Sequence, residues 1–147
     1  MAQTETAVNA CDAVIYLDTD AGVLTDISGS SNQVGISHTL IVGEQRTFRG
    51  EFPIRLTCGK DCSVTLQVLY TTDADEGWDT IKGWYEVYDG AARTFRVDMP
   101  DNAAGSDRLQ GEFILSEYNI SVNSGGPMEY TAVFDPSDQT AITWGTV

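Results

Sequence analysis

Twenty-five residues, Thr47 to Thr71 (TFRGEFPIRLTCGKDCSVTLQVLYT), constrain the fold of this chain more than any other stretch. In the first half Phe48, Gly50, Phe52, Ile54, Leu56 and Cys58 fall on alternate positions; in the second half Cys62, Val64, Leu66, Val68 and Tyr70 do the same. Side chains alternate across a strand, so each half reads as a strand with one buried face. Gly59-Lys60-Asp61 between them suits a three-residue antiparallel connection. That turn predicts Cys58 opposite Cys62, Leu56 opposite Val64, Ile54 opposite Leu66 and Phe52 opposite Val68. A slip of one residue would set Cys62, Val64 and Leu66 against the polar row Thr57, Arg55 and Pro53. The other face carries Arg49, Glu51, Pro53, Arg55, Thr57, Ser63, Thr65 and Gln67. The expectation is a long hairpin, apolar beneath and polar above.

Further strands are predicted on both sides. Ala13 to Asp18 and Val23 to Ile27 flank an acidic turn, and Val34, Ile36, His38, Leu40 and Val42 alternate with Gly35, Ser37, Thr39, Ile41 and Gly43. Ser28 to Asn32 is a loop by composition. Trp78 to Gly90 is the one convincing helix: Trp78, Ile81, Tyr85 and Tyr88 share a face, Asp73, Asp75 and Glu76 suit its positive end, and Gly90 its stop. Arg93 to Asp98 is a strand closed by Pro100, and Asp101 to Leu109 a polar loop. Glu112 to Val122, with Ile114, Tyr118, Ile120 and Val122 on one face, is a long strand. Met128 to Asp135 and Ala141 to Val147 complete the set. The fold class is mainly β, a β-sandwich or barrel with one short α-helix and a long β-hairpin. The expected organisation is a single domain spanning 1–147, residues 1–10 forming a loose N-terminal arm.

Charge narrows the function. Twenty-two acidic against eight basic residues give a net charge of −14. Phosphate grip needs clustered Lys and Arg, so a nucleic-acid-binding or anionic-membrane surface is disfavoured. Acidity serves solubility in the plain reading and non-adhesion to a polyanion in the sharper one. The N-terminus MAQTETAVNACD lacks the basic and apolar regions of a secretory signal, which predicts maturation in a cytoplasm. Three cysteines do not make a secreted disulfide framework. Cys58 and Cys62 either bridge across the turn or are a pair of small buried hydrophobes.

Catalytic and metal chemistry find little material. The one histidine, His38, alternates with apolar neighbours and reads as a hydrogen-bonded core or interface residue. It cannot complete a zinc site with Cys58 and Cys62. Asp73-Ala-Asp75-Glu-Gly77-Trp-Asp79 fails the calcium-loop pattern, because Gly77 is fifth and position twelve is Trp84. Asn119-Ile-Ser121 is a formal glycosylation sequon inside a strand, and carries no weight. No catalytic residue, metal or cofactor is expected.

The order of segments resembles the major tail tube proteins of long-tailed, siphovirus-type bacteriophages. The carriers are Asp26-Ile-Ser-Gly-Ser-Ser-Asn-Gln-Val34 before a long strand and Thr47-Phe-Arg-Gly50 entering the hairpin. Tyr70 precedes the short helix, Pro100 ends the next strand, and a Gly-Pro turn splits the closing strands, Gly111 to Val122 and Met128 to Phe134. The likeness runs from about Ala13 to Thr143; the tip Cys58-Gly-Lys-Asp-Cys62 departs from the basic or Gly-rich tips common in the family.

The resemblance implies a structural virion protein with no enzymatic role, assembled in the host cytoplasm into stacked hexameric rings. Those rings form the tail tube through which DNA is ejected. Its partners would be itself, the tape measure, terminator and distal tail proteins, and DNA in non-adhesive passage; no membrane is involved. On this reading the polar rows at Ser37, Thr39, Thr65, Gln67, Glu117, Asn119, Glu129 and Thr131 line the lumen. Arg49, Glu51, Pro53, Arg55, Lys60 and Asp61 on the hairpin meet neighbouring subunits. The alternatives are a related-fold tail terminator, completion or capsid decoration protein, and a carbohydrate-binding β-sandwich using Trp78, Trp84 and Tyr88.

Overall fold

A computed structural model describes residues 10–74, 76–87, 91–100, 104–137 and 142–147. Residues 1–9 of the expected arm, Asp75, Tyr88, Gly90, Asp101 and Ala141 lie outside the described residues. After a 3₁₀ turn at Ala10–Asp12 the elements are β1 (Val14–Asp18), β2 (Leu24–Asp26), β3 (Ser31–Gln45), β4 (Ile54–Leu69) and α1 (Gly77–Glu86). There follow β5 (Arg93–Asp98), β6 (Asp107–Ser121), β7 (Glu129–Pro136) and β8 (Thr143–Thr146). Among the described residues the chain is mainly β with one α-helix and a long hairpin, as expected, and eight strands form one antiparallel sheet that does not close into a barrel.

The strand order is β2-β1-β5-β6-β7-β4-β3, with β8 pairing to the start of β6. The sheet curls around its apolar face. Phe95 on β5 and Phe134 on β7 reach across the intervening strand with ring centroids 5.7 Å apart, and Phe113 on β6 stands edge-on to Phe95 at 5.8 Å. Leu17, Ile27, Val64, Leu66, Val68 and Ala132 complete this core, all fully buried. The turn after β2 ties the two ends of the sheet: Ile15 N–H donates to Ser28 Oγ (2.8 Å) and Leu69 N–H to the Ser30 carbonyl (2.8 Å).

The helix fills the concave side. Gly77, Thr80, Ile81 and Trp84 face the core at i, i+3, i+4 and i+7. Trp84, not Tyr85, is therefore the buried aromatic: its ring stands edge-on to Phe134 at 5.1 Å and its indole N–H donates to the Asp18 carbonyl at 2.5 Å. Tyr85 is exposed, 5.9 Å from the Tyr118 ring. Gly77 permits the close approach, because a Cβ there would stand 2.9 Å from Val68 Cγ1 and 3.0 Å from Ser30 Oγ.

The hairpin is differently made from the one predicted. Ile54–Leu69 is one continuous strand through Gly59-Lys60-Asp61, and its partner is β3. The turn lies at residues 46–53, so Thr47 to Pro53 form the tip rather than a strand, and Phe48 and Phe52 are exposed instead of buried. Cys62 faces His38, and Cys58 faces nothing, being the extra residue of a β-bulge between the pairs Ile41–Gly59 and Val42–Thr57. The cause of the misreading is parity. Ile54, Leu56, Cys58, Cys62, Val64, Leu66 and Val68 are all even-numbered, and a three-residue turn preserves that pattern as faithfully as an uninterrupted strand does.

A second bulge, at Ser116 on β6, splits another predicted face. Leu115 pairs with Phe134 but Glu117 with Val133, so Phe113 and Leu115 join Tyr118 and Ile120 on the concave side while Ile114 turns outward. The segment 107–109, expected as loop, is already strand.

Candidate assembly surfaces

Two surfaces remain after the core is accounted for: the convex face of the sheet and the part of the hairpin that outruns it. On the convex face, antiparallel pairing aligns Gly35, Thr65, Val133 and Glu117 in one row and Gln33, Gln67, Thr131 and Asn119 in the next. Glu129 lies between Leu69 and Ser121 in a third row, and Ser37 and Thr39 continue the face toward the hairpin opposite Ser63 and Asp61. All eight predicted polar positions thus share one face of four adjacent strands. Gln67 Nε2 donates to Glu129 at 2.6 Å, Asn32 to the same carboxylate at 3.4 Å, and Asn119 to Glu117 at 2.6 Å. Between β3, β4, β7 and the end of β6 this face presents Asp61, Glu117, Glu129 and Asp135 and no Lys or Arg. Carboxylates without a neighbouring cation repel phosphate.

The convex face does carry cations further along, where they are neutralised. Asp98 on β5 is fully buried and receives both guanidiniums: Arg96 through Nε (3.0 Å) and Nη2 (2.6 Å), Arg108 through Nε (2.5 Å) and Nη2 (3.1 Å). Burial pushes the Asp98 carboxyl up, but the hydrogen bonds and charges of Arg96 and Arg108 outweigh it and hold the pKa at about 2. The Arg96 guanidinium also lies 4.3 Å over the Tyr16 ring. Arg93, buried, donates to the carbonyls of Thr19 and Asp20 at 3.4 and 3.0 Å, and Lys82 pairs with Glu86 at 3.7 Å. Arg93, Arg96 and Arg108 tie the body together, whereas the Lys82 pair is an exposed one within α1.

The hairpin is the other surface. β7 pairs with β4 only over Val64–Leu69, so among the described residues the β3–β4 ribbon beyond it has no third strand. The Cys58 bulge changes which way its side chains point. Before the bulge the even residues Cys62, Val64, Leu66 and Val68 face the core; beyond it Leu56 pairs with Gly43 and Ile54 with Gln45, on the convex side. The ribbon therefore has Leu40 and Val42 on one face and Ile41, Ile54 and Leu56 on the other, all exposed by half or more. Such a two-stranded ribbon is marginal by itself in water, and apolar residues on both faces mark a contact surface.

Of the six predicted hairpin contacts, Arg49, Glu51 and Pro53 are in the tip, while Arg55, Lys60 and Asp61 lie along β4. Arg55 donates to Glu44 at 3.2 Å in an exposed ion pair. The exposed apolar residues of the ribbon and tip were missed by sequence reasoning, which took them for core. Length was the available signal: strands of 15 and 16 residues cannot be covered by a neighbour of eight. His38 is exposed rather than in the core, 6.0 Å from the Trp144 ring on β8. The stacking platform of Trp78, Trp84 and Tyr88 does not form as expected, since Trp84 is buried; Trp78 packs against Tyr70 at 4.9 Å and Tyr130 at 6.2 Å, and Tyr88 lies outside the described residues.

No protein-family model matches the chain, and no curated protein matches it either. Solved structures do. A chain in the tail of an empty gene transfer agent particle, refined helically with C6 symmetry, superposes with a TM-score of 0.69 at 18% identity, covering 93% of this chain and 99% of that one. The SPP1 tail tube gives 0.72 at 12% identity, over 95% of this chain and 78% of that one. A chain in a structure of the sheath/tube terminator of an extracellular contractile injection system gives 0.68 at 11%, over 96% and 99%. The chain has the fold of phage-type tail tube proteins.

Proposed function

We propose that this chain is a tail tube subunit, a structural virion protein that acts as one domain and assembles into hexameric rings stacked as a conduit for DNA. The unpartnered hairpin carries the reading: a soluble monomer gains nothing from a ribbon with Leu40, Val42, Ile41, Ile54 and Leu56 exposed on two faces. Sixfold order is supported by the C6 symmetry of the gene transfer agent tail that shares the fold. The acidic convex face supports a channel wall: duplex DNA carries a phosphate per roughly 1.7 Å, and a wall of carboxylates lets it slide. Ser37, Thr39, Thr65, Gln67, Glu117, Asn119, Glu129 and Thr131 line the lumen on this reading. Tape measure, terminator and distal tail proteins are its partners in the virion tail.

The test is electron microscopy of concentrated protein. Wild-type chain forms long tubes, and a variant lacking residues 41–59, with Leu40 and Lys60 joined by Asn-Gly, stays folded and forms none. A deletion of residues 50–67 would be uninformative because it removes Val64 and Leu66 from the core. Normal tubes from the 41–59 deletion would sink the proposal. A second reading is a tail terminator, since a chain of the same fold occurs in a sheath/tube terminator structure. Isolated rings that never stack would select it.

A further inference from the structure

β3 runs between two apolar features, the hairpin tip at one end and a cleft at the other. The cleft, about 700 Å³, opens between the β1–β5 side of the curled sheet and the start of β3. Its wall is largely apolar, with Ala13, Ile15, Val34, Ile36, Val97 and Met99. At the tip, Phe48 and Phe52 are 112% and 81% exposed, the two most exposed large apolar side chains among the described residues. A buried phenylalanine dominates the energetics of a contact, so two left in water at the end of a projecting ribbon are placed to be covered.

The tip cannot cover its own cleft. Val34 in the cleft wall and Gln45 at the base of the tip lie eleven positions apart along β3, about 37 Å of extended strand. Charge points to a second copy as the occupant. Residues 45–60 hold four of the eight basic residues and one of the 22 acidic ones, a net of +3, which leaves −17 for the remainder of the chain. Two of those carboxylates flank the cleft: Asp12 lies between the wall residues Cys11 and Ala13, and Asp26 accepts from the amide and hydroxyl of the wall residue Ser28.

We propose that the hairpin tip of one copy seats Phe48, with Phe52 beside it, in this cleft on a second copy displaced by about 37 Å along β3. The inference rests on the tube reading and names its stacking contact. Tip and cleft are different surfaces, so the contact is heterologous and repeats without closing, each copy leaving a fresh cleft at one end and a fresh tip at the other.

Cys11 is an exposed thiol on the cleft wall and serves as the reporter. The probe is a Phe48→Cys, Cys58→Ser variant, assembled, treated with a mild oxidant and run on a non-reducing gel. The expected result is a ladder of covalent dimers, trimers and longer chains that vanishes when Cys11→Ser is added. Tubes that form but give no ladder, from this variant and from the Phe52→Cys equivalent, overturn the contact while leaving the tube reading intact. A ladder that stops at the dimer overturns the repeat, since it reports a closed exchange of tips. Wild-type protein that never stacks overturns both. Independently, a Phe48→Ser, Phe52→Ser variant keeps the wild-type circular dichroism and needs a roughly tenfold or higher concentration to grow tubes; an unchanged threshold counts against the contact.

Discussion

Cys62 on β4 lies directly opposite His38 on β3, and Cys58, four residues along the same strand, stands outside the ladder at a bulge. Four residues of extended chain span about 13 Å, roughly twice the reach of a disulfide between Cα atoms. Oxidation of the wild-type protein leaves Cys58 and Cys62 unlinked within a chain. Trypsin cuts after Lys60 and puts the two on separate peptides, so mass mapping reads the result directly; a linked Cys58–Cys62 peptide pair would contradict the register.

Asp98 is the most consequential charge in the body. Removing it leaves Arg96 and Arg108 facing one another with no anion, and breaking a buried pair in this way costs about 3 kcal/mol or more. An Asp98→Ala variant loses that much stability in urea unfolding. Acid acts on the same group. The folded pKa of about 2 lies below the ordinary 3.8, so the stabilisation is present above pH 3.8 and disappears as pH falls toward 2. The gap corresponds to about 2 kcal/mol. Asp98→Asn flattens the acid limb of stability against pH over that window, and an unaltered limb would show the cluster to be incidental.

Gly77 sits where α1 meets β4. A methyl group there must displace Val68 or Ser30, and Ser30 Oγ accepts the Gly77 amide at 3.1 Å. Overpacking of this kind costs about 1–3 kcal/mol, against a helix-propensity gain of at most about 1. Gly77→Ala is therefore destabilising, with a lowered thermal midpoint, and a raised midpoint would mean that the helix can move away from β4 without loss.

The convex face is tested by reversing its sign. Thr65→Lys with Glu117→Lys adds cations to a face that offers only carboxylates between β3 and β6. Tubes of this variant retain duplex DNA in a pull-down at low salt and release it as salt rises, whereas wild-type tubes retain none. Equal retention by the two would place these residues away from the channel.

The sequence carried the elements better than their faces. β1, β2, β5 and β7 were legible within a residue or two, because each alternates without interruption between turn signals. What it could not carry is phase. A bulge adds one residue and exchanges the two faces of a strand, yet neither Ser116 nor Cys58 is a residue type that announces one. Ile114 was therefore placed with Tyr118, and Leu56 with Val64, when each points the opposite way. The helix erred for a related reason: small Gly77 and Thr80 line its buried face, and a stripe sought among aromatics shifts toward Tyr85. The polar rows survived because they sit in stretches of β3, β4, β6 and β7 that no bulge interrupts.

The bulge at Cys58 gives β4 an unusual kind of genetic sensitivity. Pairing without the bulge, with Cys58 taken into the ladder, would put Leu56 and Ile54 back in step with Cys62, Val64 and Leu66, stripping the ribbon of one of its two apolar sides while leaving the core strand untouched. A Cβ on Gly43, 2.8 Å from Cys58 Sγ, would crowd the same place from the facing strand. Within this segment the phase of pairing matters more than the identity of the side chains: evolution is free to exchange aliphatic residues on the arm, and is held to the bulge that decides which way they face.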